Sequence, residues 1–214
     1  MDWLKLYKEC ERAAVIKDIS LASQSKTPFC QKPKRVILSM WEEHYLKGAD
    51  ILQAGLTQAY GEDGIARWTS DLVSRQELCI RLATHRIPLA FYLGHGREQG
   101  WSGYRGLRIH HLHQPAEPMG LIVSLSCNTL DFGRQLIEEG YVQAFLGSEQ
   151  SMKVSGVARL VCLFSTVFYN KNSLLNTAND LLEITEEYVS LSNSKELHEV
   201  WSQLKFLGSG TTNI

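Results

Sequence analysis

The sequence predicts an α/β domain built on a mostly parallel sheet, and three observations carry that expectation. Short apolar runs recur at 35–40, 89–93, 121–126 and 142–146, each long enough for a buried strand and too short for a helix. Segments with apolar residues at helical spacing lie between them. The regular alternation of the two patterns is that of strands covered by helices on both faces.

The composition permits such a core. The chain has 214 residues, 44% hydrophobic and 21% charged, which fits one globular domain rather than a disordered chain. A net charge of −1 leaves no electrostatic footprint for nucleic acid or for an anionic membrane. No apolar run approaches the length of a bilayer span, and Met1-Asp2-Trp3-Leu4-Lys5 lacks the features of a signal peptide. The cysteines at 10, 30, 79, 127 and 162 are odd in number and never form CxxC, which argues against a disulfide framework or a zinc ribbon. The expectation is a cytoplasmic protein with reduced thiols, with no metal or organic cofactor and no direct nucleic-acid or membrane partner.

Each element follows in order. Trp3, Tyr7, Cys10 and Ala14 recur at helical spacing and predict an amphipathic helix over 2–22. The polar, proline-containing stretch 25–34 reads as a linker, so 1–34 stands apart from a domain at 35–207. After the run at 35–40, Trp41, Tyr45, Leu52, Leu56 and Ala59 share a helical face that Gly61 closes. A second helix covers about 72–84 and stops before Pro88. The run 89–93 ends in Gly94-His95-Gly96. Gly100, Gly103 and Gly106, with Leu107, Ile109 and His111 alternating afterwards, predict a β-hairpin over 100–113. The run 121–126 ends at Cys127, a short helix follows to Gly140, and 142–146 is the fourth strand. Residues 155–169 are apolar almost all round, a buried helix. Two more helices follow, one opening at Thr177 with Asp180 three residues on, a capping box. The tail at 208–214 is expected to fray.

Two strands deliver reactive side chains to the carboxyl edge, where open α/β sheets gather their functional groups. One ends in His95 between glycines and the next in Cys127. If they are neighbours, the thiol can lose its proton to the imidazole, giving a thiolate nucleophile and an imidazolium acid. The N–H of Gly96, unshielded by a side chain, could join that of Cys127 in stabilising an oxyanion. A plainer reading also stands, in which Cys127 is a small buried hydrophobe and His95 an incidental turn residue. Other motifs lead nowhere. Gly94 to Gly100 has the wrong spacing for a dinucleotide loop, and a hairpin follows it instead of a helix. His110, His111 and His113 alternate along a strand and lack an acidic or Cys partner for a metal. Cys10, Cys30, Cys79 and Cys162 read as packing residues, and Arg97, Arg105 and Arg108 as a solvated face.

At these residues the sequence resembles the caspase-like cysteine peptidases, and most of all a CHAT or gingipain-like domain. The similar blocks are Phe91 to Gly96, Leu121 to Thr129, Gly140 to Ser148, and Phe168-Tyr169 with the following helix containing Ala178; together they span roughly residues 35–190. The resemblance implies a caspase-like sandwich and a cysteine endopeptidase acting on protein or peptide substrates. In it His95 is the general acid and base, Cys127 the nucleophile, and Gly96 and Cys127 the oxyanion donors. It further implies a regulatory protein partner, for which the helix at 2–22 is a docking candidate, and a defence or programmed-death role. The caspase signature Q-A-C-[RQG]-G is absent, and the interval from His95 to Cys127 is shorter than the roughly 50 residues of caspases. Leu125, two before the cysteine and on its strand face, stands where several members carry a polar or acidic pocket residue. Glu149 could restore a preference for a basic substrate side chain, or be a solvated loop acid. The rival reading is a silent domain of the same fold serving as a scaffold.

Overall fold

The computed structural model describes residues 33–171 and 174–214. The helix expected at 2–22, nearly all of the linker, Cys10 and Cys30 lie outside the described residues. The chain runs β1 (Arg35–Ser39), α1 (Glu43–Tyr60), β2 (Ile65–Thr69), α2 (Arg75–Thr84) and β3 (Leu89–Leu93). Three short strands come next, β4 (Gly96–Arg97), β5 (Gly100–Trp101) and β6 (Leu107–Arg108). The remainder is β7 (Met119–Leu125), α3 (Leu130–Glu138), β8 (Val142–Ser148), α4 (Val154–Lys171), α5 (Ala178–Leu191), α6 (Lys195–Gln203) and β9 (Leu204–Gly208).

The main sheet has the order β2-β1-β3-β7-β8-β9. Its first five strands are parallel and β9 closes the edge antiparallel to β8. Successive residues of a strand serve opposite faces, and the core divides accordingly. Leu89, Phe91 and Leu93 pack with α1, α4, α5 and α6, whereas Ala90 and Tyr92 pack with α2 and α3. Burial on both faces explains why the central runs carry no polar alternation. Each fully buried Leu or Phe contributes about 1.5–3 kcal/mol, so this three-layer burial is the main source of stability. The capping box at α5 forms as its sequence implies. The Thr177 hydroxyl accepts from the Asp180 N–H at 3.3 Å and the Asp180 carboxylate accepts from the Thr177 N–H at 2.7 Å.

Five features differ from expectation. β2 is a strand that Arg67 disguises; its guanidinium reaches out from the sheet edge to Asp50 and to the Leu46 carbonyl. β9 is likewise a half-buried edge strand with exposed Lys205. The hairpin exists but is a three-stranded antiparallel sheet, β4-β5-β6, whose second turn carries Tyr104 and Arg105 at φ 55° and 59°. Left-handed backbone is costly for such residues, and the buried Tyr104 hydroxyl, bonded to the Trp68 carbonyl, helps hold it. His110 and His111 sit in a 3-10 turn with ring centroids 4.1 Å apart, not on alternating faces of a strand. The tail is docked rather than frayed. Ile214 is buried, its N–H donates to the Asn176 carbonyl at 3.1 Å, and its carbonyl accepts from Arg35 at 2.9 Å. Among the described residues no helix is long and apolar enough to cross a membrane.

Candidate active site

β3 and β7 are hydrogen-bonded neighbours, with Leu93 opposite Leu125, so the residues following them emerge side by side at the carboxyl edge. His95 and Cys127 line one cavity of about 140 Å³ there. Leu125 forms part of its wall, as do Tyr45 of α1 and Met152 just before α4.

The His95 backbone is held from several sides. Its carbonyl accepts from the Ser102 N–H at 2.9 Å and from the Tyr92 hydroxyl at 2.9 Å, and its N–H reaches the Met40 sulfur at 3.2 Å. The Tyr92 oxygen in turn accepts from the Gly103 N–H at 3.1 Å. The imidazole, itself exposed, meets Tyr45 edge to face at 5.5 Å, with the Tyr45 oxygen 3.3 Å from Nδ1. Burial first, then the charges of Glu42 and Cys127, pushes the Tyr45 phenol up to about 12. It is therefore a neutral partner at physiological pH. Because the bond at one ring nitrogen sets what the other can do, Tyr45 at Nδ1 leaves Nε2 for proton transfer.

Cys127 is half-buried at the start of a tight loop. Asn128 adopts φ 53°, a conformation Asn tolerates better than most residues. The loop is pinned to the end of β8, with Asn128 N–H donating to the Gln150 carbonyl at 3.2 Å and Thr129 N–H to the Ser148 carbonyl at 2.8 Å. The sulfur accepts from the Met152 N–H at 3.3 Å. No hydrogen bond joins the thiol to the His95 imidazole among the described residues.

Gly96 brings the two loops together. Any Cβ there would collide with the Cys127 carbonyl and with the Ser126 hydroxyl, so only glycine permits the approach. The pairing also settles where its N–H points. His95–Ser102 is a bonded pair of the hairpin, so by antiparallel alternation the adjacent Gly96–Trp101 pair is not. The Gly96 N–H consequently faces away from β5.

Beneath both loops lies a polar network that the sequence reading missed. Trp101 Nε1 donates to Ser124 Oγ at 3.0 Å; Ser124 Oγ lies 2.8 Å from Ser126 Oγ and 3.2 Å from Thr129 Oγ1. Trp101 also stacks on Tyr92 at 4.3 Å. The network couples the histidine hairpin to the cysteine strand. Its one sequence signal was a pair of serines inside an apolar run. Tyr45 and Met152 were missed as well, because each reads as an ordinary apolar position of its own segment.

Glu149 does not join the site. It is exposed, outside the cavity, and its carboxylate pairs with Arg134 at 3.0 Å. The loop after β8 carries it away from the pocket that Met152 enters. Among the described residues no group of three potential metal ligands is present.

The architecture is that of the caspase-like sandwich, a mostly parallel six-stranded sheet between helical layers. Solved structures of other proteins share it, among them two of RgpB. The crystal structure of the Arg-specific cysteine proteinase gingipain R (RgpB) superposes with a TM-score of 0.71 and 15% identity, covering 99% of this chain and 52% of that one. The complex of the pro- and mature domains of Porphyromonas gingivalis RgpB gives a TM-score of 0.69 and 17% identity, covering 85% of this chain and 48% of that one. This chain thus spans about half the length of each. No protein-family model and no curated protein matches the sequence.

Proposed function

We propose that this chain is a cysteine endopeptidase in which Cys127 is the nucleophile and His95 the general acid and base. The observation that carries the reading is the single cavity at the carboxyl edge that holds the thiol, the imidazole and a wall for a substrate side chain. The thiol proton passes to Nε2 of His95, and the sulfur bonds the carbonyl carbon of the scissile peptide. The N–H groups of Gly96 and Cys127 take the charge on the carbonyl oxygen. Collapse breaks the C–N bond, and the departing amine takes the proton from His95. Water then attacks the thioester with His95 accepting its proton, which releases the acid and restores the thiol. Tyr45 at Nδ1 keeps the imidazole oriented through both halves.

The odd, widely spaced cysteines support a cytoplasmic enzyme, and the resemblance to CHAT-type proteases supports one switched by a protein partner, with a place in a defence or programmed-death response. One observation favours a silent scaffold instead: the thiol bonds the Met152 N–H and not His95. A peptide-library cleavage profile separates the two readings. Cleavage by the parent chain, alone or with added partner proteins, that disappears in both Cys127→Ala and His95→Ala is the expected result. Cleavage that survives either substitution contradicts the mechanism.

A further inference from the structure

The cavity beside Cys127 has a chemistry of its own. Leu93, Leu125, Met152, Val157 and Val161 are among the residues that line it, and no carboxylate does. Its polar members are imidazoles, the Ser126 and Cys127 side chains and the Tyr45 phenol, which burial keeps neutral. Glu149, just before Met152 in sequence, is outside and paired with Arg134. Its volume of about 140 Å³ approaches that of engineered apolar cavities of about 150 Å³, which take up benzene.

From this we infer that the enzyme selects substrates with an apolar side chain of Leu, Met or Phe size at the residue whose carbonyl is attacked. The inference rests on the Cys127–His95 reading above and specifies its substrate. The side chain in question is attached one atom from the attacked carbonyl carbon, so a substrate held at the Cys127 sulfur must place it in the adjoining space. Filling that space with a methyl or phenyl group removes apolar surface from water on both sides. A guanidinium or ammonium there would lose its hydration with no carboxylate in the lining to pair with, since Glu42, whose charge reaches Tyr45, is not part of the wall, and it would face two imidazoles instead. The preference thereby departs from that of the Arg-specific proteinase whose fold this chain shares.

The test uses three matched peptidyl chloromethyl ketones with Leu, Arg or Asp at the critical position, and iodoacetamide as a reagent with no such side chain. In each case the Cys127 sulfur bonds the reagent carbon while the halide leaves with the bond's electron pair. Intact-mass spectrometry of the full chain gives the rates. The Leu reagent should react at least about tenfold faster than either charged one, the scale an apolar pocket can supply. Leu125 is 1% exposed, so an aspartate there challenges folding as much as selectivity. Val157, half-buried on the same wall, is the better position. In a folded Val157→Asp chain the Leu-to-Arg rate ratio should fall at least about tenfold. Equal or faster reaction of the Arg or Asp reagent, with iodoacetamide still alkylating Cys127 in a His95-dependent way, overturns the pocket inference alone. Iodoacetamide alkylation that ignores His95 removes the underlying mechanism and the inference with it.

Discussion

Among the described residues, Cys79 and Cys127 line cavities that also hold histidines, and their surroundings differ. Cys79, on α2, borders a groove of about 690 Å³ with His111, His113, Arg75 and Arg105. The residue is 2% exposed, and burial pushes the thiol pKa up despite the nearby Arg75. The Nδ1 of His111 is already occupied by the Arg108 N–H at 3.1 Å. Cys127 borders a space several times smaller, but it sits at a strand end and is reached by a backbone N–H. Its histidine has a clamped backbone and a neutral phenol at Nδ1. Cavity size and a nearby imidazole therefore do not by themselves favour Cys127 as the proposed nucleophile. What separates the two thiols is half-burial at the sheet edge together with a histidine held in place by hydrogen bonds.

The largest effect that could break this contrast is at the sulfur itself. Cys127→Ala should lower kcat by about four orders of magnitude or more, as for removal of a catalytic nucleophile. Cys79→Ala should leave peptide cleavage unchanged and cost about 1 kcal/mol of stability, measurable by denaturant titration. Gly96→Ala comes next. Its methyl cannot share space with the Cys127 carbonyl, so the proposed oxyanion donors must move apart. A fall in kcat of about 10²–10³ is expected, with circular dichroism unchanged. Full activity in that variant would mean that the two loops need not touch.

Tyr45→Phe keeps the ring and removes the hydroxyl. A hydrogen bond to a group that becomes charged is worth about 1.5 kcal/mol at the low end, so kcat should fall about tenfold with KM steady. The same variant has a signature in stability. The phenol is raised from 10.0 to about 12, so its contribution is full below pH 10 and is lost as the pH climbs toward 12, where the unfolded chain ionises first. Parent protein should lose stability over that window by more than Tyr45→Phe does. The smallest effect is at Glu149→Gln. An exposed pair with Arg134 contributes at most about 1 kcal/mol, and neither kcat/KM nor side-chain selectivity should change. A loss of cleavage after basic residues in that variant would return Glu149 to the site.

Legibility in the sequence followed burial. β1, β3, β7 and β8 lie inside the sheet and are apolar enough to be read directly, and the chain order then put His95 and Cys127 at one edge. β2 and β9 lie at the sheet's borders, where Arg67 and Lys205 face outward and interrupt the pattern. The docked tail escaped notice because Gly208-Ser209-Gly210 has the composition of a loose end, while its anchors, Asn176 and Arg35, are remote in sequence. Around the cavity, the lining residues at strand ends were legible in the sequence and those contributed by helices were not. Tyr45 comes from a helix that its apolar spacing explained completely. Met152 acts through a backbone N–H that no residue type announces. The position of Glu149 outside the cavity was illegible for the opposite reason, since adjacency to β8 says nothing of which way the loop turns.

The most direct measurement is site-resolved alkylation by iodoacetamide at neutral pH, followed by peptide mass spectrometry for Cys79, Cys127 and Cys162 in the parent chain and in His95→Ala. Cys127 should be modified first, ahead of the two buried thiols, and at least about tenfold more slowly once His95 is gone. Modification of Cys127 at the same rate in both proteins would contradict the account, because the imidazole would then have no part in activating the sulfur.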